Sequence, residues 1–241
     1  PETLPALLWI HGGGYVLGNV ESDDLKAKGL ALALNCVVAS VEYRLAPEHP
    51  FPAPLEDCYA ALKWLASNAD QLGIDPTRIA IGGASAGGGL AAGLALLARD
   101  REEVDVCYQL LIYPMIDDSN TEQAGPDVAD APLWTRANNL IGWRAYLGEE
   151  PGGEGISIYA APFRAEDLRG LPPTYIGVGT PDLFRDEDIA YAQRLIQAGV
   201  PTELHVYADG FHGFDGFAAE SEAAQRFTAE YTRLLARALH G

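Results

Sequence analysis

RIAIGGASAGGGLAAGLALLAR, residues 78 to 99, passes from an apolar strand-like run to a helical one, with a glycine-flanked serine at the turn. Gly83-Ala84-Ser85-Ala86-Gly87 fits the pattern G-x-S-x-G. A sharp strand-to-helix turn of this kind exposes the serine hydroxyl, and small flanking residues keep side chains from colliding there. The following helix aims its N-terminal amides and positive dipole end at the same spot. Alone the pattern is weak, because a glycine-rich turn can also serve only to pack a helix close to a strand. A phosphate-binding loop is a further reading, but Gly89-Leu90 stand where Lys and Ser/Thr belong. The run 12–18 fails G-x-G-x-x-G as well, since Leu17 occupies the third glycine's place.

Outward from this turn, apolar runs and helical periods alternate. LPALLWI (4–10), CVVASVEY (36–43), RIAIGG (78–83), CYQLLIY (107–113), PTYIGVG (173–179) and TELHVY (202–207) read as strands. Residues 54–68 read as a helix, opening at Pro54 and repeating apolar residues at Leu55, Cys58, Tyr59, Leu62 and Leu65. Further helices are expected over 186–198, ending at Gly199, and over 218–239. Most of the strands lack strict alternation, which implies burial on both faces. The expected fold is therefore α/β: a mostly parallel central sheet with helices on both faces, in a single domain over 1–241. Sites in such sheets gather at the carboxyl ends of the strands. The stretch 114–150 breaks the rhythm, and within it 117–146 is expected to be a partial cap or lid, helical around Leu133–Tyr146.

Composition narrows the function classes. The 241 residues are 48% hydrophobic and 21% charged, ordinary for a globular chain, so disorder is excluded. A net charge of −18 argues against a nucleic-acid surface or an anionic membrane as partner. No stretch approaches the roughly 20 apolar residues of a membrane helix. PETLPALLWI has neither a basic n-region nor a cleavage site. Three cysteines, Cys36, Cys58 and Cys107, are odd in number and lack metal spacing; reduced thiols in a cytoplasmic protein are expected. No pair of histidines has ligand spacing either, so neither a metal nor a cofactor is expected.

The first strand runs into a second glycine-rich stretch, HGGGYVLG (11–18). Three successive glycines are costly in conformational entropy, so something must need bare backbone there. Attack of a serine oxygen on a carbonyl creates an oxyanion, and backbone amides can meet it only where no side chain blocks the approach. His11, at the head of the loop, is expected to hold its shape through a hydrogen bond.

With these residues the chain resembles the hormone-sensitive-lipase-like carboxylesterases of the α/β-hydrolase superfamily. The resemblance rests on HGGGYVLG (11–18), EYRLAPEHPFPAPLEDCYAALKWL (42–65), DPTRIAIGGASAGGGLA (75–91), LPPTYIGVGTPDLFRDE (171–187) and GFHGF (210–214). It implies Ser85 as nucleophile, Asp182 as the triad acid and His212 as general base, with Gly13, Gly14 and Ala86 supplying the oxyanion amides. The chain order Ser, Asp, His is the one α/β-hydrolases use. Asp186 is the rival acid, while Asp186, Glu187 and Asp188 also suit a helix's first turn for structural reasons. His49, His205 and His240 read as structural, and Tyr43, Arg44 and Glu48 as a network below the site. The implied activity is hydrolysis of short- to medium-chain acyl esters of small molecules. An amidase or deacetylase using the same triad is the alternative. A non-catalytic receptor, which the family also includes, typically loses the histidine that is present here.

The sequence departs from the family at two places. Ala84 stands where the commonest form has Asp. The glycine-loop strand also begins almost at residue 4, where the family has cap helices and two sheet strands ahead of it; these are expected either to be absent from the protein or to lie outside this sequence. Residues 37–43 are then expected at an unpaired sheet edge or covered by a partner, as in a homodimer. Trp134 and Leu140 are the candidate substrate-pocket wall.

Overall fold

Residues 3–120 and 133–241 are described in a computed structural model of the chain. All six expected strands form, as β1 (Leu4–Ile10), β2 (Val37–Val41), β3 (Ile74–Ala84), β4 (Tyr108–Ile112), β5 (Thr174–Gly179) and β6 (Thr202–Tyr207). They make one parallel sheet in the order β2-β1-β3-β4-β5-β6. The helices are α1 (Asp24–Leu34), α2 (Ala53–Ser67), α3 (Ala69–Leu72), α4 (Ala86–Arg101), α5 (Arg136–Leu147), α6 (Arg185–Gln197), α7 (Phe214–Phe217) and α8 (Glu222–His240).

The continuous apolar runs have a direct packing cause. Along β1, Ala6, Leu8 and Ile10 enter one core with Leu55, Leu62, Leu90 and Leu94 of α2 and α4. The intervening Leu7 and Trp9 enter the other, with Leu30 and Leu34 of α1 and Phe227 and Leu234 of α8. Both pleat faces are therefore covered, and no polar alternation survives. β2 is different: it bonds only to β1 and its first four residues are half-buried, so the expected sheet edge is observed among the described residues.

Helix ends follow local chemistry. α6 stops where Gly199 adopts φ 81°, which costs glycine little. α8 begins later than the periodicity suggests because Ser221 caps it, accepting from the amide of Ala224 at 3.2 Å. Residues 214–217 instead form the separate turn α7. α5 likewise starts at Arg136, capped by Thr135. Part of the expected insertion, 121–132, lies outside the described residues. No helix among the described residues is long and apolar enough to cross a membrane. Cys36 and Cys58 are buried and Cys107 half-buried, all as free thiols.

Candidate active site

Ser85 sits between β3 and α4 at φ 58° and ψ −123°, a conformation uncommon for a residue with a side chain. Small neighbours make this turn sterically feasible. A Cβ on Gly83 would lie 2.4 Å from the Gly87 carbonyl, and one on Gly87 would lie 2.1 Å from that of Ile10. Backbone bonds then fix the turn: Ser85 donates its amide to Ile112 and its carbonyl accepts from Gly89 and Met115.

His212 comes from the loop between β6 and α7, and Asp182 from the loop between β5 and α6. Both leave carboxyl ends of strands, on the edge where Ser85 lies. The Ser85 hydroxyl is 2.9 Å from His212 Nε2, and His212 Nδ1 is 2.9 Å from Asp182 Oδ2. With Nδ1 protonated, the ring accepts from serine and donates to the carboxylate. Asp182 is wholly buried, and its other oxygen takes the amide of Phe184 at 3.0 Å. The rings of Tyr113 and Phe184 meet the imidazole edge-on, at centroid distances of 4.8 and 5.1 Å.

The rival acids separate cleanly by environment. Asp186 points outward and pairs with Arg185. Glu187 is buried and accepts from the amides of Ile116 and Asp117 and from Asn120, tying that loop to α6. Burial, with Asp117 adding to it, holds the Glu187 carboxyl well above the usual range despite those hydrogen bonds.

Asp188 is fully buried and neither carboxylate oxygen has a hydrogen-bond partner among the described residues. Burial first, then the neighbouring Glu187 and Asp182, pushes its pKa well above 3.8. A raised folded-state value means stability that is full below the unfolded pKa and is lost as pH rises toward the folded one. Asp188→Asn keeps the shape of the neutral acid without that loss. Its stability relative to wild type is expected to rise as pH is increased from about 4, the ordinary carboxylate range, through neutrality, read by denaturant unfolding at several pH values. A difference that does not change with pH would contradict this account.

The glycine loop lies against the serine turn. A Cβ on Gly12 would stand 2.9 Å from the Ala84 carbonyl. Gly13, at φ 120°, would put a Cβ 2.1 Å from the Leu17 carbonyl, while its own carbonyl accepts from Val16 and Leu17. Gly14, at φ 60°, would collide with the Trp134 ring at 2.0 Å. No hydrogen bond among the described residues uses the amides of Gly13 and Gly14. The amide of Ala86, first in α4, has no intrahelical partner. His11 Nδ1 lies 2.8 Å from the Gly12 carbonyl and its ring stacks on Tyr43 at 4.2 Å, so the expected loop-shaping contact is present. Tyr43 donates to the His11 carbonyl and Arg44 pairs with Asp57, which is a structural network.

These groups open onto a cavity of about 1290 Å³, bordered by Gly13, Ser85, His212, Trp134 and Tyr113 and continuing along α1 and α8. Trp134 lies in its wall, and Leu140 is not among the residues lining it. The reason is helical phase. α5 buries Asn139, Gly142, Trp143 and Tyr146, which places Leu140 off that stripe, and Asn138 is the α5 residue reaching the cavity. Sequence reasoning also passed over Lys26, Tyr113 and Asp215, which line the same cavity. Asp215, three residues after His212 inside an apolar run, was the one available signal.

Among the described residues, one cluster could hold a metal ion: Glu203, His205 and Glu230, whose ligand atoms lie within 4.8 Å of one another. It sits beside β6, away from Ser85, and its carboxylates are paired with Arg237 and Arg233.

A family model described as the alpha/beta hydrolase fold matches residues 7–216. The carboxylesterase NlhH of Mycobacterium tuberculosis is 40% identical over 245 residues, covering 99% of this chain and 75% of that protein. The esterase LipI of the same organism is 39% identical, covering 98% of this chain and 74% of its own length. Among solved structures, a bacterial heroin esterase superposes with a TM-score of 0.95 at 49% identity, over 99% of this chain and 76% of that one. Esterase LipW from Mycobacterium marinum gives 0.91 at 40% identity, over all of this chain and 75% of that one. The sheet, the serine turn and these likenesses agree, and the chain belongs to the α/β-hydrolase fold family, in its hormone-sensitive-lipase-like branch.

Proposed function

We propose that this protein is a serine carboxylesterase that hydrolyses short- to medium-chain acyl esters of small molecules through an acyl-enzyme. The observation that carries the reading is His212 held between Ser85 and Asp182 at 2.9 Å on each side. The names of its relatives, carboxylesterase and esterase, support the same class.

In this reading Ser85 Oγ attacks the ester carbonyl carbon as His212 Nε2 takes its proton. The carbonyl electron pair moves onto oxygen, and the oxyanion is met by the amides of Gly13, Gly14 and Ala86. Collapse expels the alcohol, which receives the proton from His212. Water then repeats the sequence on the acyl-enzyme and releases the acid. Asp182 holds the Nδ1–H tautomer and stabilises the imidazolium. Leu133, Trp134 and Asn138 wall the substrate pocket. The reduced thiols and the acidic surface fit a cytoplasmic enzyme.

The test is a rate profile on p-nitrophenyl esters from acetate to octanoate, with a matched anilide. The expected result is turnover of the shorter esters at least about tenfold faster than of the anilide. A faster anilide would assign the site to amide hydrolysis, and no cleavage of either would overturn the reading.

A further inference from the structure

Asp215 is a buried carboxylate next to the site that the proposed reaction does not use. It lies at the start of α7, with its side chain 1% exposed. The Tyr113 hydroxyl donates to Oδ1 at 2.6 Å, and the Lys26 ammonium donates to Oδ2 at 2.8 Å. Each partner comes from a separate element. Tyr113 follows β4 and is pinned by its amide, which donates to Gly177 of β5 at 2.7 Å. It is held at φ 35°, a conformation rare for an aromatic residue, and its ring meets that of His212 edge-on. Lys26 stands in the first turn of α1, 5.5 Å above the Trp9 ring, and that indole donates to Asp23 at 2.8 Å. One carboxylate therefore joins the histidine loop, β4 and α1.

We propose that Lys26 and Asp215 are positioning residues for His212, forming with Tyr113 a clamp that fixes the imidazole's angle toward Ser85. The proposal rests on the triad reading above. A loop histidine needs such help, because loops are the more mobile elements and misplacement by about 1 Å can cost about a hundredfold in rate. Asp215 limits the movement of its own loop, and Tyr113 limits the ring's tilt. Burial alone would push the Asp215 pKa up, but the ammonium and the two hydrogen bonds outweigh it and hold it below the usual carboxylate range. The clamp is thus charged across the neutral range.

The other charged and titratable groups around this part of the site are known. The β5–α6 region contributes Asp182, Glu187 and Asp188. The start of α1 contributes Asp23, and α8 contributes Tyr231, beside both Lys26 and Asp215. None of these donates to or accepts from Asp215, so substitution within the clamp changes a separable charge.

The variants are Tyr113→Phe, Asp215→Asn, Lys26→Met, the double Lys26→Met/Asp215→Asn and the conservative Lys26→Arg. On p-nitrophenyl acetate, Asp215→Asn is expected to lower kcat by about tenfold with KM within about twofold, Tyr113→Phe less, and Lys26→Arg to stay near wild type. The NMR resonance of the His212 ring proton in a Ser85→Ala background needs no turnover. It is expected as one sharp signal in wild type and Lys26→Arg, and as a shifted or exchange-broadened one in Asp215→Asn and Lys26→Met, because a ring released from one angle samples several. A merely structural ion pair would lower stability and leave that signal and kcat unchanged. Wild-type kcat and an unchanged signal in variants with wild-type near-ultraviolet circular dichroism would overturn the clamp. If Asp215→Asn does not fold, Tyr113→Phe and Lys26→Arg decide by the same readouts. Absence of ester cleavage by wild type would overturn the esterase reading, and the signal would still decide the clamp.

Discussion

Ser85→Ala is expected to lower kcat/KM for p-nitrophenyl acetate by about a millionfold while leaving the fold intact. The size follows from where the hydroxyl sits. Its hydrogen bond is to His212 Nε2, so its loss removes both the attacking atom and the proton that the base would take. Glycine-loop amides and cavity walls remain, and such remnants typically keep a rate of about a thousandfold over water. The turn itself depends on the backbone of Ser85, through Ile112, Gly89 and Met115, and on the bare faces of Gly83 and Gly87. Alanine keeps the Cβ and all of those bonds. Thermal unfolding within about 1–2 °C of wild type is therefore expected. Turnover within tenfold of wild type would show that another nucleophile does the work.

Much of this site could be read in the chain because its residues answer to local demands. A serine on a sharp turn needs small flanks, and an amide cradle needs glycines, so Gly83, Gly87 and Gly12–Gly14 announce themselves at fixed spacing. The strands announce themselves because helices cover both faces of the sheet. α1 did not, and its packing says why. Leu25 and Leu32 are 88% and 85% exposed while Leu30 and Leu34 are buried, so apolar residues fall on both sides of the helix and no single stripe forms. Lys26 on that helix finds its partner 189 positions away, a pairing no local pattern carries. The depth of Asp188 was equally hidden, since an acid in a helix's first turn is ordinarily solvated. The phase of α5 was hidden too: a short helix shows four positions to the core, and the pattern of residues 133–146 does not fix that Leu140 lies off them.

Asp182 is the residue whose assignment the fold sharpens most, and its replacement is the stricter trial of the proposed mechanism. Asp182→Asn is expected to lower kcat by about ten-thousandfold near neutral pH with little change in KM. A carboxylate can only accept from His212 Nδ1, which forces the proton onto Nδ1 and leaves Nε2 free to accept from Ser85. An amide offers a donor at the same place, and it can turn to donate to Nδ1, moving the ring proton to Nε2. The imidazole would then face the serine hydroxyl with a donor where a base is needed. The other carboxylate oxygen accepts from the Phe184 amide at 3.0 Å, so the asparagine oxygen would stay there and the nitrogen would face histidine. The backbone thus selects the inactive arrangement. Asp186→Asn, four residues beyond Asp182 in the exposed part of the first turn of α6 and paired with the neighbouring Arg185, is expected to stay within about twofold of wild type. Equal losses in the two variants would mean that negative charge around the helix start matters in place of a specific partner for His212. A large loss only in Asp186→Asn would move the acid's role to that residue.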